Sequence, residues 1–156
     1  MKFRLLLVAI FANCALLSAQ KNTNVEGSKF EFKEIVRHYA SPVESQGRTG
    51  TCWSFSALSF LESEIMRVNK TDKPIVLSEM FIVRKAYEAK AKKYIRMDGN
   101  TNFGQGGAFH DIPYVIKNYG IVPQNVYIGL KKKSVTYYHA EMFTKLNEIV
   151  ANAKAE

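Results

Sequence analysis

Gln46-Gly47-Arg48-Thr49-Gly50-Thr51-Cys52-Trp53-Ser54-Phe55-Ser56 is the stretch on which the reading of this chain turns. It begins as a loop, since Pro42 bars a helix just upstream and Gly47 and Gly50 loosen the backbone. From Cys52 onward Phe55, Leu58, Leu61, Ile65 and Val68 recur at three- and four-residue spacing, which predicts a long helix ending near Asn69, before Asp72 and Pro74. Phe60, Ala57 and Met66 widen its apolar surface, while Glu62 and Arg67 are assigned to outer faces. Cys52 therefore falls at the junction of a glycine-bearing loop and the first turn of a helix.

That position has chemical meaning. Only a thiolate is a good nucleophile, and the unpaired N–H groups and dipole at a helix start favour an anion placed there. A cysteine serving only as core filler belongs further in, on the apolar stripe. Attack of a thiolate on a carbonyl creates an oxyanion, which needs donors about 3 Å from where its charge develops. The Cys52 N–H is one candidate donor. The side-chain amide of Gln46, carried back by the glycine loop, is the other.

The whole segment resembles the active-site stretch of the papain family of cysteine peptidases, with the glutamine, both glycines, the cysteine, the tryptophan and the following Ser-Phe-Ser in register, and with Pro42-Val43 as its lead-in. The resemblance implies Cys52 as nucleophile and Gln46 as oxyanion donor. Two departures narrow it. Thr49 stands where most papain relatives have a disulfide-forming cysteine, and Thr51 where they have serine or alanine. The first points to the bleomycin hydrolase and aminopeptidase C branch, which lacks those disulfides. Leu77-Ser78-Glu79 resembles the family's step into its next helix. Gly104-Gln105-Gly106-Gly107 resembles the loop whose paired glycines, here Gly106 and Gly107, line the substrate cleft, with Trp53 beside them as a further substrate-binding candidate. Tyr119-Gly120-Ile121-Val122-Pro123 is similar to the stretch that follows in that branch, so the likeness covers roughly residues 35 to 150.

The implied fold is α+β and papain-like, this chain forming mostly the helical left-hand domain. Ser78 is the expected N-cap of a second helix, with Phe81, Val83, Ala86, Tyr87, Ala91 and Tyr94 on its less polar side. A third helix is expected from about 108 to 118, closed by Gly120, and a fourth over 137–153 with Met142, Phe143, Leu146, Ile149 and Val150 on one side. Ile75-Val76-Leu77 reads as a short extended piece, and Phe30 to Tyr39 as a short strand or extended arm.

The mechanism also needs a base, usually a histidine oriented by an asparagine. His38 matches no family base, and His110 reads as a surface or capping residue. His139-Ala140 is superficially similar to the family's histidine-alanine pair, but it is expected on a charged amphipathic helix rather than on a strand entering a sheet. In papain relatives the base lies about 130 residues or more beyond the nucleophile, and 104 residues follow Cys52 here. The expectation is therefore that the β-rich second domain, with the base and its asparagine, is absent, and that the chain is a truncated peptidase. A non-enzymatic half-domain that binds peptides or a partner chain is the competing reading.

Outward from this region, Lys2 and Arg4 precede an apolar run from Leu5 to Leu17, and Ser18-Ala19 follows, the layout of a secretory signal peptide over 1–19. Residues 20–34 read as a flexible lead-in and 35–156 as the peptidase domain. Removing the leader would leave Cys52 as the single cysteine and a net charge of +6 from the +8 of the full chain, so export into an oxidising compartment creates no intrachain disulfide. With 47% hydrophobic and 12% aromatic residues the chain is not of disordered composition. The basic groups Lys90-Ala91-Lys92-Lys93 and Lys131-Lys132-Lys133 are read as a solvated helix face and a solvated loop, not a nucleic-acid module. Peptide substrates are the expected partners, with no metal, no cofactor, no nucleic acid and no stable membrane insertion once the leader is gone. The branch resemblance leaves open a homo-oligomer of a longer parent.

Overall fold

The computed structural model describes residues 25–130 and 134–155. The leader expected over 1–19 lies outside them. The chain divides into two units, meeting between Arg37 and His38. In the first, residues 25–37 form no helix or strand. Its local contacts include the turn from Ser28 N–H to the Val25 carbonyl (3.1 Å), the bond from Phe30 N–H to the Ser28 hydroxyl (3.1 Å) and the Glu34–Arg37 ion pair (2.6 Å).

The second unit is helical. Among the described residues it contains α1 (Cys52–Val68), α2 (Glu79–Arg96), α3 (Asp111–Tyr119) and α4 (Ala140–Ala155). Extended pairing is confined to two isolated bridges, Arg48 with Tyr138 in parallel and Leu77 with Pro123 in antiparallel sense. α2 lies at the centre and packs against the other three helices. Its Ile82, Val83, Ala86 and Tyr87 are buried with Leu58 of α1, Ile112 and Val115 of α3, and Phe143 and Val150 of α4. Phe103 stacks on Phe143 with ring centres 5.2 Å apart, and Tyr87 meets Phe143 edge-on at 5.4 Å.

α1 starts and ends as its spacing predicts, but it is rolled about its axis. Its buried residues are Trp53, Ser54, Ala57, Leu58, Glu62 and Met66, whereas Phe60 and Val68 are exposed. The outer-face assignment of Glu62 is therefore corrected. Its carboxylate accepts from the Ser41 hydroxyl and from Leu77 N–H (2.7 Å), and these two donors let a charged group sit inside. The Ser78 cap expected for α2 is present: its hydroxyl accepts from Phe81 N–H at 3.0 Å and donates to the Tyr127 carbonyl. α3 begins at Asp111 because residues 108–110 form a separate turn, whose Ala108 N–H donates to the Asp111 carboxylate (2.9 Å). α4 begins at Ala140, since 137–139 are drawn into pairing with Arg48. No helix of the described residues is long and apolar enough to cross a membrane.

Candidate active site

The nucleophile loop is fixed from three directions. Within the loop, Thr49 Oγ1 donates to the Gln46 carbonyl (2.9 Å) and shares a short hydrogen bond with the Thr51 hydroxyl, while Gln46 Nε2 donates to the Thr49 carbonyl (2.5 Å). Side-chain hydrogen bonds of Thr49 thus hold the loop at the position where most papain relatives have a disulfide-forming cysteine. From downstream, Arg48 N–H donates to the Tyr137 carbonyl (2.8 Å) and His139 N–H to the Arg48 carbonyl (3.4 Å). Gly47 is needed for this approach: its φ is +61°, and a Cβ there would lie 2.5 Å from the Tyr137 oxygen. The third fastening comes from Gln105. Its side-chain oxygen accepts from Gly50 N–H (2.9 Å), and a Cβ on Gly50 would come within 2.9 Å of the Gln105 Cβ.

Thr51 is fully buried at the N-terminus of α1 and makes no side-chain cap bond to it, and Cys52, the next residue, is exposed with its thiol free. The first turn contains no acidic residue to oppose a thiolate. The first N–H groups of a helix have no intrahelical acceptor, so the Cys52 N–H is available as a donor. Gln46 Nε2 carries two hydrogens. One is committed to Thr49, which orients the amide and leaves the other for a developing charge. Gln46 and Cys52 are brought to opposite ends of one braced loop, with no direct hydrogen bond between their side chains.

Trp53 lies beneath the glycine pair rather than at the surface. It is 7% exposed, and its Nε1 donates to the Gln105 carbonyl (3.0 Å), which also accepts from the Tyr87 hydroxyl (3.4 Å). A Cβ at Gly107 would lie 2.5 Å from the indole and 3.0 Å from the Asp111 carboxylate, so bare backbone is required at that point. At Gly106 a Cβ would meet nothing within 4 Å, and both glycines are exposed. The pair forms an open backbone ledge resting on Trp53. Gln105 joins this ledge to the nucleophile loop, a role that a polar residue inside a glycine-rich run gives no signal of in sequence.

None of the three histidines is hydrogen-bonded to the thiol. His110 is exposed, 3.7 Å from the Asp111 carboxylate. His139 is not on a helix face as expected but just ahead of α4, where its carbonyl accepts from Phe143 N–H (2.8 Å). Its ring is 8% exposed against Tyr87, centroids 6.2 Å apart, and burial pulls its pKa down. Nδ1 is sealed without a partner, which fits a packed neutral imidazole better than a proton shuttle.

A braced loop, an exposed cysteine at a helix start and a glycine ledge on a tryptophan agree with the match of residues 27–152 to the family described as papain family cysteine protease. The chain belongs to the papain family. Cathepsin M of Mus musculus is 30% identical over 128 residues, covering 81% of this chain and 34% of that protein. Cathepsin J of Rattus norvegicus is 26% identical over 125 residues, covering 80% and 34%, and cathepsin K of Mus musculus 30% identical over 104 residues, covering 65% and 27%. The chain thus spans about a third of the length of the curated relatives it matches. The helical unit is consistent with the helical domain of a papain-like fold.

Proposed function

We propose that this chain carries the nucleophile, one side of the oxyanion hole and one wall of the peptide cleft of a cysteine peptidase, which hydrolyses peptide bonds through an acyl-thioester on Cys52. The observation that supports this most is the single brace, Gln105, which ties the loop bearing Gln46 and Cys52 to the Gly106–Gly107 ledge. A nucleophile, an oxyanion donor and a backbone surface able to pair with an extended peptide are thereby held in one frame. The thiolate of Cys52 would attack the scissile carbonyl, with the Cys52 N–H and the free N–H of Gln46 receiving the oxyanion.

Within that reading, an aminopeptidase or bleomycin hydrolase-like specificity rests on Thr49, the disulfide-free loop and the Tyr119–Pro123 stretch, and the cathepsin similarities add nothing to it. Export through the leader over 1–19 is part of the same proposal, as is assembly of like subunits in a longer parent. The absence of a histidine beside the thiol favours a second reading, a peptide-binding half-site without turnover. A peptidyl epoxide and a fluorogenic peptide amide separate the two. Covalent labelling at Cys52 together with turnover supports a peptidase complete in this chain. Labelling without turnover supports the half-site, and failure to label Cys52 in the folded protein refutes both.

A further inference from the structure

Lys90 of α2 belongs by sequence to a run of lysines on a solvated face, but the structure separates it from that run. Lys92 and Lys93 are exposed, whereas the Lys90 side chain is 20% exposed. Its ammonium lies 5.3 Å from the centre of the Trp53 ring, donates a short hydrogen bond to the Gly106 carbonyl, and has the Asp111 carboxylate 4.0 Å away. The same carboxylate holds Ala108 N–H (2.9 Å), so the segment from 106 to 111 is pinned at both ends by one lysine–aspartate pair.

This arrangement decides which way the ledge faces. The peptide unit between Gly106 and Gly107 is trans, so its C=O and N–H point in opposite directions. With the oxygen drawn inward to Lys90, the Gly107 N–H must point away from it; among the described residues that N–H has no acceptor, and both glycines are exposed. Glycine has no intrinsic preference that would hold this plane, and a flipped peptide would present a carbonyl where an extended peptide needs a donor. We propose that Lys90 is a positioning residue of the peptide cleft, clamping the Gly106 carbonyl over Trp53 so that the Gly107 N–H is presented to the backbone carbonyl of a bound peptide. Burial lowers the Lys90 pKa while Asp111 counteracts that shift, which is consistent with an ammonium held rather than one left in solvent. The inference rests on the peptide-cleft reading above but acts on a feature that exists without substrate.

The test uses the full chain with Lys90→Met, Lys90→Arg and Asp111→Asn, the last removing the counter-ion should Lys90→Met fail to fold. Backbone relaxation at Gly106 and Gly107 reads the clamp directly. Order parameters near 0.85 are expected in the wild type and below about 0.6 in Lys90→Met, with recovery in Lys90→Arg and an intermediate value in Asp111→Asn. Emission from Trp53, the single tryptophan of the chain, should shift in Lys90→Met and return in Lys90→Arg. Unchanged order parameters in both Lys90→Met and Asp111→Asn overturn the proposal. A second measurement compares alkylation of Cys52 by a peptidyl epoxide and by iodoacetamide. The ratio of the two rates should fall by about tenfold in Lys90→Met, as expected for loss of one directed hydrogen bond to the peptide. A wild-type ratio near one would instead refute the cleft reading itself, leaving the clamp to stand or fall on the relaxation data.

Discussion

Glu79 opens α2 with its side chain 3% exposed and one carboxylate oxygen sealed without a partner. Burial pushes its pKa from the usual 4.5 up to about 7, and the nearby carboxylates of Glu62 and Glu44 add to the rise while the Glu79 backbone N–H opposes it. Glu62 has two hydrogen-bond donors, whereas one Glu79 oxygen has none. The sign follows from linkage. Below about pH 4.5 Glu79 is protonated in both folded and unfolded chains, and no penalty exists. Above about pH 7 it is ionised in both, and the folded state bears the whole cost of a buried, unpaired charge. Stability is therefore lost as pH rises through that window, by about 3.5 kcal/mol in full, since each of the roughly 2.5 pH units between the two pKa values is worth about 1.4 kcal/mol. Glu79→Gln keeps the shape and removes the ionisation. Urea unfolding of both proteins from pH 4.5 to 8 measures the difference, in which contributions from other titrating groups cancel. The variant should gain on the wild type by about 3 kcal/mol across that range. A constant difference at all pH values would refute the assignment of a raised pKa to Glu79.

Gly47→Ala should destabilise the folded chain by about 2 kcal/mol in urea unfolding, because the new Cβ must displace the Tyr137 carbonyl at a left-handed backbone position. Its labelling at Cys52 by a peptidyl epoxide should fall further than that of Gly27→Ala, which adds a Cβ at a similar positive φ with nothing within 4 Å. Gln105→Ala leaves Gly50 N–H without its acceptor, a loss of about 1 to 2 kcal/mol, and should lower the rate of epoxide labelling at Cys52 by about tenfold. An unchanged rate would mean that the glycine ledge and the nucleophile loop are positioned independently.

The parts of this fold that could be read in advance are those set by neighbours in sequence. Ser78 caps α2 because its own hydroxyl reaches an N–H three residues on, and α1 begins where the glycine loop meets Cys52. The side of a helix that is buried depends on its partners, which is why the buried face of α1 departs from the one its spacing predicts. Glu62 and Ser54 are inside only because Ser41, Leu77 and the Glu79 carbonyl supply their hydrogen bonds. The site divides in the same way. Cys52 and Gln46 stand out from local chemistry, and the two glycines only through their register with the other family-like segments. Gln105 and Lys90 do not, since each acts through a residue sixteen or more positions away. His139 lies off the helix because the pairing of Tyr138 with Arg48, ninety positions earlier, draws its segment away.

That last pairing also orders the assembly of the molecule in time. A contact closing a loop of ninety residues gains nothing until most of the intervening chain is organised, and Arg48–Tyr138 cannot form until the segment leading into α4 has been synthesised. α1 and α2 can collapse earlier on shorter-range contacts, so a growing chain would carry Cys52 on a nearly finished helix while its loop is held only by its own Gln46–Thr49 bonds. The thiol would then exist well before the surroundings that give it a use, and the final fastening of the loop would come only with the arrival of residues 137–139.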